Sequence, residues 1–505
     1  MANSNSKTQR IIKNTFALYV RMAVTMLISL YTSRVVLKEL GLDDFGIFSA
    51  VGGFVSVFSF LKSSMSSSTQ RFLSFEMGKG NSENLGKIFS VCVTAHIILA
   101  LILVVIAETV GLWFVNTQMN IPDSRMVAAN WIYQFSVISL FISIIYIPYT
   151  ADIISNEKMG YFALLGIVEA VLKLVVAYLI VTSPFDKLIY YGALILLTTI
   201  INTAMTWIYC RVKFKESHYH FVWDVDSFKK VFSFSGWTVW GQLAVVGSNQ
   251  GTGVLANIFF SVKANAAIGV GHQVNGALSG LVSNFQSAYK PQIIKSYAEG
   301  DYSYLNSLIR YSSKLSFLLL FLVSLPIIAN IDLVLNLWLV SVPPYAGELC
   351  IIYIIATLCD ALSGPLWMSV FATGRIKNYQ LAISAFYLCE LVIVYALFKL
   401  GLPLVVGISM KALLNFSVIF VRAYFAKKQI EEFDYKSFFG KTIVPLLSIC
   451  MLSYVAIAII MPLVNAMLFR VLLTCVIELF ALTLSLFLGM NKSERMACKK
   501  LILKK

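Results

Sequence analysis

Charge is scarce in this chain of 505 residues. Asp, Glu, Lys and Arg together make up 13% of it, about half the share of an ordinary soluble domain. So few charged side chains leave little polar surface to face water. With 58% apolar residues and a mean hydropathy of +0.79, composition excludes a soluble globular protein and gives a polytopic membrane protein. Long loops are missing as well. The largest segment between apolar stretches, Arg211 to Lys230, is polar and aromatic (His218, His220, Trp223, Asp224, Asp226), too short for a soluble catalytic domain. No phosphate-cradling P-loop, no HExxH and no GxSxG occurs, so direct ATP use has no anchor. The eight cysteines are scattered, mostly within apolar stretches, with no CxxC or metal-ligand spacing, and read as small core hydrophobes. The first apolar run is too long for a secretory h-region and no small-residue cleavage site follows it, so it reads as a retained signal anchor.

What is present is a series of apolar stretches, each long enough to cross a bilayer at about 20 residues per span. Fourteen are expected: 11–37, 45–61, 86–115, 128–151, 160–182, 188–210, 231–257, 265–288, 308–330, 346–372, 379–399, 402–425, 438–461 and 464–488. The second is short, and a helix could continue it through Ser63 to Arg71. The 40 basic residues then sort by side. With the N-terminus inside, thirty fall on cytoplasmic segments, among them Lys62, Arg71, Lys213, Lys230, Lys290 and Arg422. Five fall on external loops: Lys38, Arg125, Lys187, Lys263 and Lys399. That bias predicts cytoplasmic termini and turns the net charge of +15 into a topology signal that also contacts anionic lipid headgroups. It leaves no case for nucleic acid as a partner.

The loop after the sixth span divides two similar halves. Ser67-Ser68-Thr69-Gln70-Arg71-Phe72, Gly80-Asn81 and Leu85 stand 220 residues before Ser287-Ala288-Tyr289-Lys290-Pro291-Gln292, Gly300-Asp301 and Leu305. Six spans per half make a parallel repeat with a site expected between the halves. The expected organisation is an N-terminal six-helix bundle (1–215), a C-terminal six-helix bundle (216–430), and two added spans with a basic cytoplasmic tail (431–505).

Five basic residues lie inside spans: Arg21, Arg34, Lys173, Lys411 and Arg470. Arg34 and Arg470 are near outer ends and can snorkel to headgroups; the other three are deep, where a charge marks function by default. At about 100° per residue, Asn14, Arg21, Thr25 and Thr32 lie within about 40° of one another. Such a stripe is either a hydrogen-bonded seam between helices or a cavity wall. Lys173 has Glu169 one turn earlier, a pair that neutralises itself or serves a relay. Lys411 has only Asn415 on its own span, with Glu390 and Asp360 as partners on neighbouring spans. Span seven is polar through Thr238, Gln242, Ser248, Asn249, Gln250 and Thr252. Span eight carries His272, Asn275, Ser279, Ser283 and Gln286 on one face. His96 and His272 are more simply hydrogen-bonded structural residues than proton switches. Asp152, Asp360, Glu390 and Glu169 are the candidates for ion or proton coupling. Polar faces on spans one, two, seven and eight, related in pairs by the repeat, point to a central cavity.

The residues Asn14-Thr15, Leu18-Tyr19, Arg21-Met22, Leu30-Tyr31-Thr32-Ser33-Arg34-Val35-Val36-Leu37, Leu40-Gly41, Asp44-Phe45-Gly46-Ile47 and Gln70-Arg71-Phe72 resemble bacterial Wzx-type polysaccharide flippases. These exporters of O-antigen and capsule repeat units belong to the superfamily that also holds multidrug and toxin extruders and lipid II flippases. The resemblance implies a V of two six-helix bundles around a cationic cavity. There an undecaprenyl-diphosphate-linked oligosaccharide would be flipped across the inner membrane by alternating access. It implies coupling to an ion, Na+ or H+, with no other cofactor and no enzymatic activity, and the polysaccharide polymerase machinery as a candidate partner. Arg21 matches the place of a cavity arginine. Where relatives carry further arginines on spans two and eight, this chain has Ser, Gly and His272, so Lys173 or Lys411 must supply a second charge. The expected substrate cavity is Arg21, Lys411, Lys173, His272, Asn249, Gln242 and Thr25. Two other readings stand beside it: a multidrug extruder of the same fold, which should prefer acidic cavity residues, and a membrane polymerase or glycosyltransferase, which needs an external loop this chain lacks.

Overall fold

A computed structural model of the chain describes residues 2–489, apart from 57, 120, 261, 340, 431 and 462–466, together with Arg495. Most of the expected basic tail, including Lys492 and Lys499, lies outside the described residues. Among the described residues the chain is helical and has no strand, as a membrane interior demands, since only helices and closed barrels satisfy every backbone group there. The chain divides into two compact units, residues 1–242 and 243–505.

Unit 1 contains α1 (Ala2–Ser56), α2 (Ser59–Lys79), α3 (Ser82–Ile106), α4 (Leu112–Thr117), α5 (Met126–Ile145), α6 (Ile147–Ser155), α7 (Met159–Leu179) and α8 (Lys187–Lys213). Helix α9 (Val225–Phe259) begins in unit 1 and ends in unit 2. Unit 2 continues with α10 (Val262–Glu299), α11 (Tyr302–Ala329), α12 (Ile331–Trp338), α13 (Ala346–Thr373), α14 (Lys377–Lys399), α15 (Leu404–Gln429), α16 (Tyr435–Phe438), α17 (Val444–Ile460) and α18 (Met467–Leu484). Eleven helices among the described residues are long and apolar enough to cross a membrane. The three expected spans outside that set are the second, which is divided between the end of α1 and the start of α2, and the seventh and eighth, whose polar faces dilute their apolar content. Length is not the difficulty of the last two. Helices α9 and α10 have 35 and 38 residues, about 52 and 57 Å of rise against a hydrocarbon core of about 30 Å.

Glycine sets the turns that the repeat requires. In α1 the chain breaks at Gly41, whose φ of 78° a side chain would resist. Gly80 (φ 70°) ends α2, and Asn81 caps α3 by accepting from the Asn84 amide. Gly300 (φ 76°) and Asp301, capping the Tyr304 amide, do the same between α10 and α11. Leu85 and Leu305 are both buried behind these turns. The two stretches 220 residues apart thus share a left-handed glycine, an N-cap and an apolar plug.

The core of unit 1 joins Val51 of α1, Leu103 of α3, Ile132 and Tyr133 of α5 and Leu188 of α8. A π-turn at Ala107–Gly111 interrupts the α-helical bonding after α3, and the buried Tyr133 hydroxyl donates to the Ala107 carbonyl at 2.6 Å. Three turns at one end of unit 1 are stapled by Arg125, whose fork reaches Asp44 (2.8 and 2.5 Å) and Asp186 (2.5 Å). Burial raises the Asp186 carboxyl, but the bond from Arg125 and two backbone amides outweigh it and hold it below the usual carboxylate range. At the other end, the segment after α8 is fastened to the bundle. Ser217 donates to Asp152 (2.5 Å), Asn156 to Glu216 (3.2 Å), and the His220 amide to Ser90 (3.3 Å). The Tyr219 and Thr94 hydroxyls meet at 3.3 Å, and Asp224 pairs with Lys87 at 2.8 Å. Hydrogen bonds from Lys87 and then Ser227 hold the Asp224 carboxyl well below the ordinary range. Asp152, expected to serve coupling, is an anchor of this segment.

In unit 2 the core gathers Ala256, Ile268, Tyr353, Val394, Phe398 and Ile408 from α9, α10, α13, α14 and α15. Helices α17 and α18 pack against α11, where Thr474 receives a hydrogen bond from Asn330 at 2.9 Å.

Candidate functional site

Two polar clusters lie within spans, one in each unit. In unit 1 the cluster forms where α1 packs along α7. Arg21 lays its guanidinium over the Phe162 ring at 4.6 Å. It fits because residue 166 is glycine: a Cβ there would sit 2.7 Å from Arg21 Cδ. One turn on, Glu169 binds Lys173 through Oε1 at 2.6 Å and Asn202 of α8 through Oε2 at 3.1 Å. Arg21 is in electrostatic range of Glu169, and Lys62 is in range of both Glu169 and Lys173. Among the described residues, three cations therefore lie in electrostatic range of Glu169. In a medium of low dielectric that imbalance favours an anion.

Lys62, which the basic-residue count set on a cytoplasmic segment just past the apolar run, lies on α2 (Ser59–Lys79) and within electrostatic range of this cluster. The rest of the α1 stripe divides. Asn14 is buried and donates to the Glu157 carbonyl at 3.2 Å, a bond from α1 to the turn between α6 and α7. The Thr25 hydroxyl donates to the Met22 carbonyl of its own helix at 3.1 Å. The Thr32 hydroxyl is buried with no hydrogen-bond partner.

In unit 2, Lys411 of α15 donates to Asn249 Oδ1 of α9 and stands 5.6 Å from the Tyr353 ring centre. The Tyr353 hydroxyl is 3.3 Å from His272 Nε2. Thr357 donates to Asn275 at 2.5 Å, and Asn415 to the Ala356 carbonyl at 3.2 Å. Glu390, fully buried on α14, accepts from Ser248 at 2.9 Å. Asp360 is salt-bridged to Arg422 at 2.7 Å, and Arg422 also donates to Ser363. Arg422, expected on the cytoplasmic side, is thus the partner that claims Asp360. Lys411 lies within electrostatic range of Glu390 and Asp360. Two cations and two carboxylates balance here, unlike unit 1.

The structure therefore brings together Lys411, Asn249, His272 and Glu390 in one unit and Arg21, Lys173 and Glu169 in the other. It leaves Gln242 exposed on α9 where unit 1 ends. His96 is fully buried and donates through Nδ1 to the Cys92 carbonyl at 2.7 Å, a structural bond. Asn202 and Tyr353 escaped the sequence reading; Ser248 was seen on the polar face of span seven without its partner, and Lys62 and Arg422 were set on cytoplasmic segments.

The sequence matches no protein-family model and no curated protein. Solved structures do match. One is a MATE transporter in complex with MaD3S, at 12% identity and a TM-score of 0.67, covering 84% of this chain and 97% of that one. Another is a multidrug resistance MATE family transporter of the MOP superfamily in an outward-facing conformation, at 14% identity and TM-score 0.68, covering 85% and 96%. A third is a MOP superfamily transporter from Pyrococcus furiosus, published under the words "Reverse polarity of binding pocket suggests different function", at 14% identity and TM-score 0.69, covering 85% and 96%. Over most of its length, this multi-pass membrane chain has the fold of the MATE transporters of the MOP superfamily.

Proposed function

We propose that the protein is a flippase for an anionic, lipid-linked oligosaccharide, with the undecaprenyl-diphosphate-linked repeat unit of a surface polysaccharide as substrate. It would work by alternating access in the bacterial inner membrane, with both termini cytoplasmic. The observation that carries this reading is the cation excess in unit 1, where, among the described residues, Lys173 pairs with Glu169 while Arg21 and Lys62 lie in electrostatic range of that same carboxylate. A guanidinium and ammonium groups suit a diphosphate, which takes charge-assisted and bidentate hydrogen bonds. A pocket built for cationic drugs would need the opposite balance. The reverse polarity of the binding pocket stated for the Pyrococcus furiosus protein, and said there to suggest a different function, is a parallel within this fold. Coupling to Na+ or H+ belongs to the same proposal, with Glu390 as the better-placed group because Asp360 is already paired with Arg422.

The test is surface display of polysaccharide in cells that depend on this protein. Arg21→Ala should abolish display while the protein still inserts, and Arg21→Lys should restore it in part. Normal display by a well-expressed Arg21→Ala protein would sink the proposal. The runner-up, a cation extruder, draws on buried Glu390 held by Ser248; it requires Glu390→Gln to lower resistance to cationic drugs.

A further inference from the structure

Beside the cation cluster, unit 1 holds a cavity of about 270 Å³ that none of the expected site residues enters. Its walls come from α1, α2, α5 and α8. Among the described residues, the single charged side chain lining it is Lys62. Three serines of α5, Ser136, Ser139 and Ser143, reach it from one helical face, and Phe48 and Phe135 supply aromatic surface. The Ser143 hydroxyl donates to the Ser139 carbonyl at 2.6 Å. Among the described residues, Lys62 makes no hydrogen bond or salt bridge. The carboxylate in electrostatic range of it, Glu169, already holds Lys173 and Asn202. A half-buried ammonium without a carboxylate of its own is costly, and hydroxyls that open onto a cavity are ready donors and acceptors.

We propose that this cavity is a subsite for a hydroxylated anion the size of one sugar ring, an acidic or phosphorylated sugar. The ammonium takes the acid group, the serines take ring hydroxyls, and Phe48 and Phe135 lie against the apolar face of the ring. A few placed polar groups in a largely apolar, aromatic wall are the usual make-up of a small-molecule site. The volume is near the lower end of the usual range of about 300–1,000 Å³, enough for one ring and not for an oligosaccharide. The inference rests on the proposed flippase reading and deepens it: Lys62 faces sugar, which leaves the diphosphate to Arg21 and Lys173.

Binding of glucuronate, glucose 1-phosphate, glucose and inorganic phosphate to the purified full-length protein in detergent tests it by titration calorimetry. The acidic sugars should bind at least about tenfold more tightly than glucose or phosphate, the usual worth of one charge-assisted hydrogen bond. The stronger of the two shows which acid the site prefers. Lys62→Gln should reduce the acidic sugars to the level of glucose. A Ser136→Ala/Ser139→Ala protein should weaken the sugars and leave inorganic phosphate unchanged. Should Lys62→Gln fail to fold, Ser139→Leu keeps the lysine and fills the cavity, and a folded Ser139→Leu protein that still binds acidic sugars overturns the proposal. Equal binding of phosphate and glucose 1-phosphate, or wild-type affinity in Lys62→Gln, overturns it too. Display assays separate the two levels. If Arg21→Ala loses display while Lys62→Gln keeps it and the titrations fail, the subsite falls and the flippase stands. If display survives Arg21→Ala, the flippase reading falls, whatever the titrations give.

Discussion

Glu169 is the side chain on which the unit 1 cluster balances, and Glu169→Gln is the substitution that tests it. Glutamine keeps the shape and one acceptor, so the bond from Asn202 at 3.1 Å survives. What is lost is the charge that offsets Lys173 at 2.6 Å and, at longer range, Arg21 and Lys62. A hydrogen bond to a charged group contributes about 1.5–3 kcal/mol. The side chains of Glu169 and Lys173 are 42% and 45% exposed, so solvent and headgroup screening reduces this to about 1–2 kcal/mol. For a unit of this size that is a fall in melting temperature of about 2–8 °C. The assay is thermal unfolding in detergent of wild type, Glu169→Gln, Lys173→Met and the double variant. If three cations repel once the carboxylate is neutral, Lys173→Met should recover about half of the loss in the Glu169→Gln background. An unchanged melting temperature in Glu169→Gln, or a double variant less stable than the single, would refute the shared-carboxylate reasoning.

Other substitutions probe the scaffold around the two clusters. Arg125→Ala breaks a fork between Asp44 and Asp186 and should destabilise unit 1 by about 1–3 kcal/mol, read as a lower melting temperature; Arg125→Lys should recover little because it cannot bridge bidentately. Gly271→Ala would put a Cβ 2.5 Å from the buried Tyr353 ring, so it should cost about 1–3 kcal/mol by overpacking and weaken any binding that depends on Lys411 above that ring. Proton linkage gives a further test. Asp186 and Asp224 both titrate below the usual carboxylate range, so the stability they add is complete above their unfolded value of about 3.9 and is lost as the pH falls through their lower folded values. Unfolding should therefore be flat in pH from about 5 to 7 as far as these groups contribute, and steepen only below about 4. Asp224→Asn should remove its share of that acid sensitivity.

Much of the fold was legible because a bilayer leaves few choices. Apolar length marks spans, and the distribution of Lys and Arg orders them. The weak repeat at Gly80-Asn81 and Gly300-Asp301 could be read because a left-handed glycine and an N-cap need particular residues, and the structure gives both pairs the same turn. The site was legible in its members and not in its pairings. Glu169 with Lys173 follows from helical spacing. Asp360 with Arg422, Lys411 with Asn249 and Ser248 with Glu390 join helices far apart in sequence, and no periodicity within one span records which neighbour a face meets. Lys62 was named without its neighbours for a different reason. The continuation of the helix past Leu61 was legible, but hydropathy marks only the end of the apolar run and does not say that Lys62 comes within range of Glu169 on another helix.

The fastening of residues 216–224 to unit 1 bears on how the protein is made. Ser217 on Asp152, Glu216 on Asn156, Tyr219 on Thr94, His220 on Ser90 and Asp224 on Lys87 all join residues at or before position 224. A ribosome adding about 5–20 residues per second needs on the order of tens of seconds to finish the rest of the chain. Every partner in that clasp is available throughout this interval. The first bundle can therefore close on its own trailing segment while the second is still being synthesised, and its polar and charged side chains need not wait for unit 2 to find their hydrogen bonds.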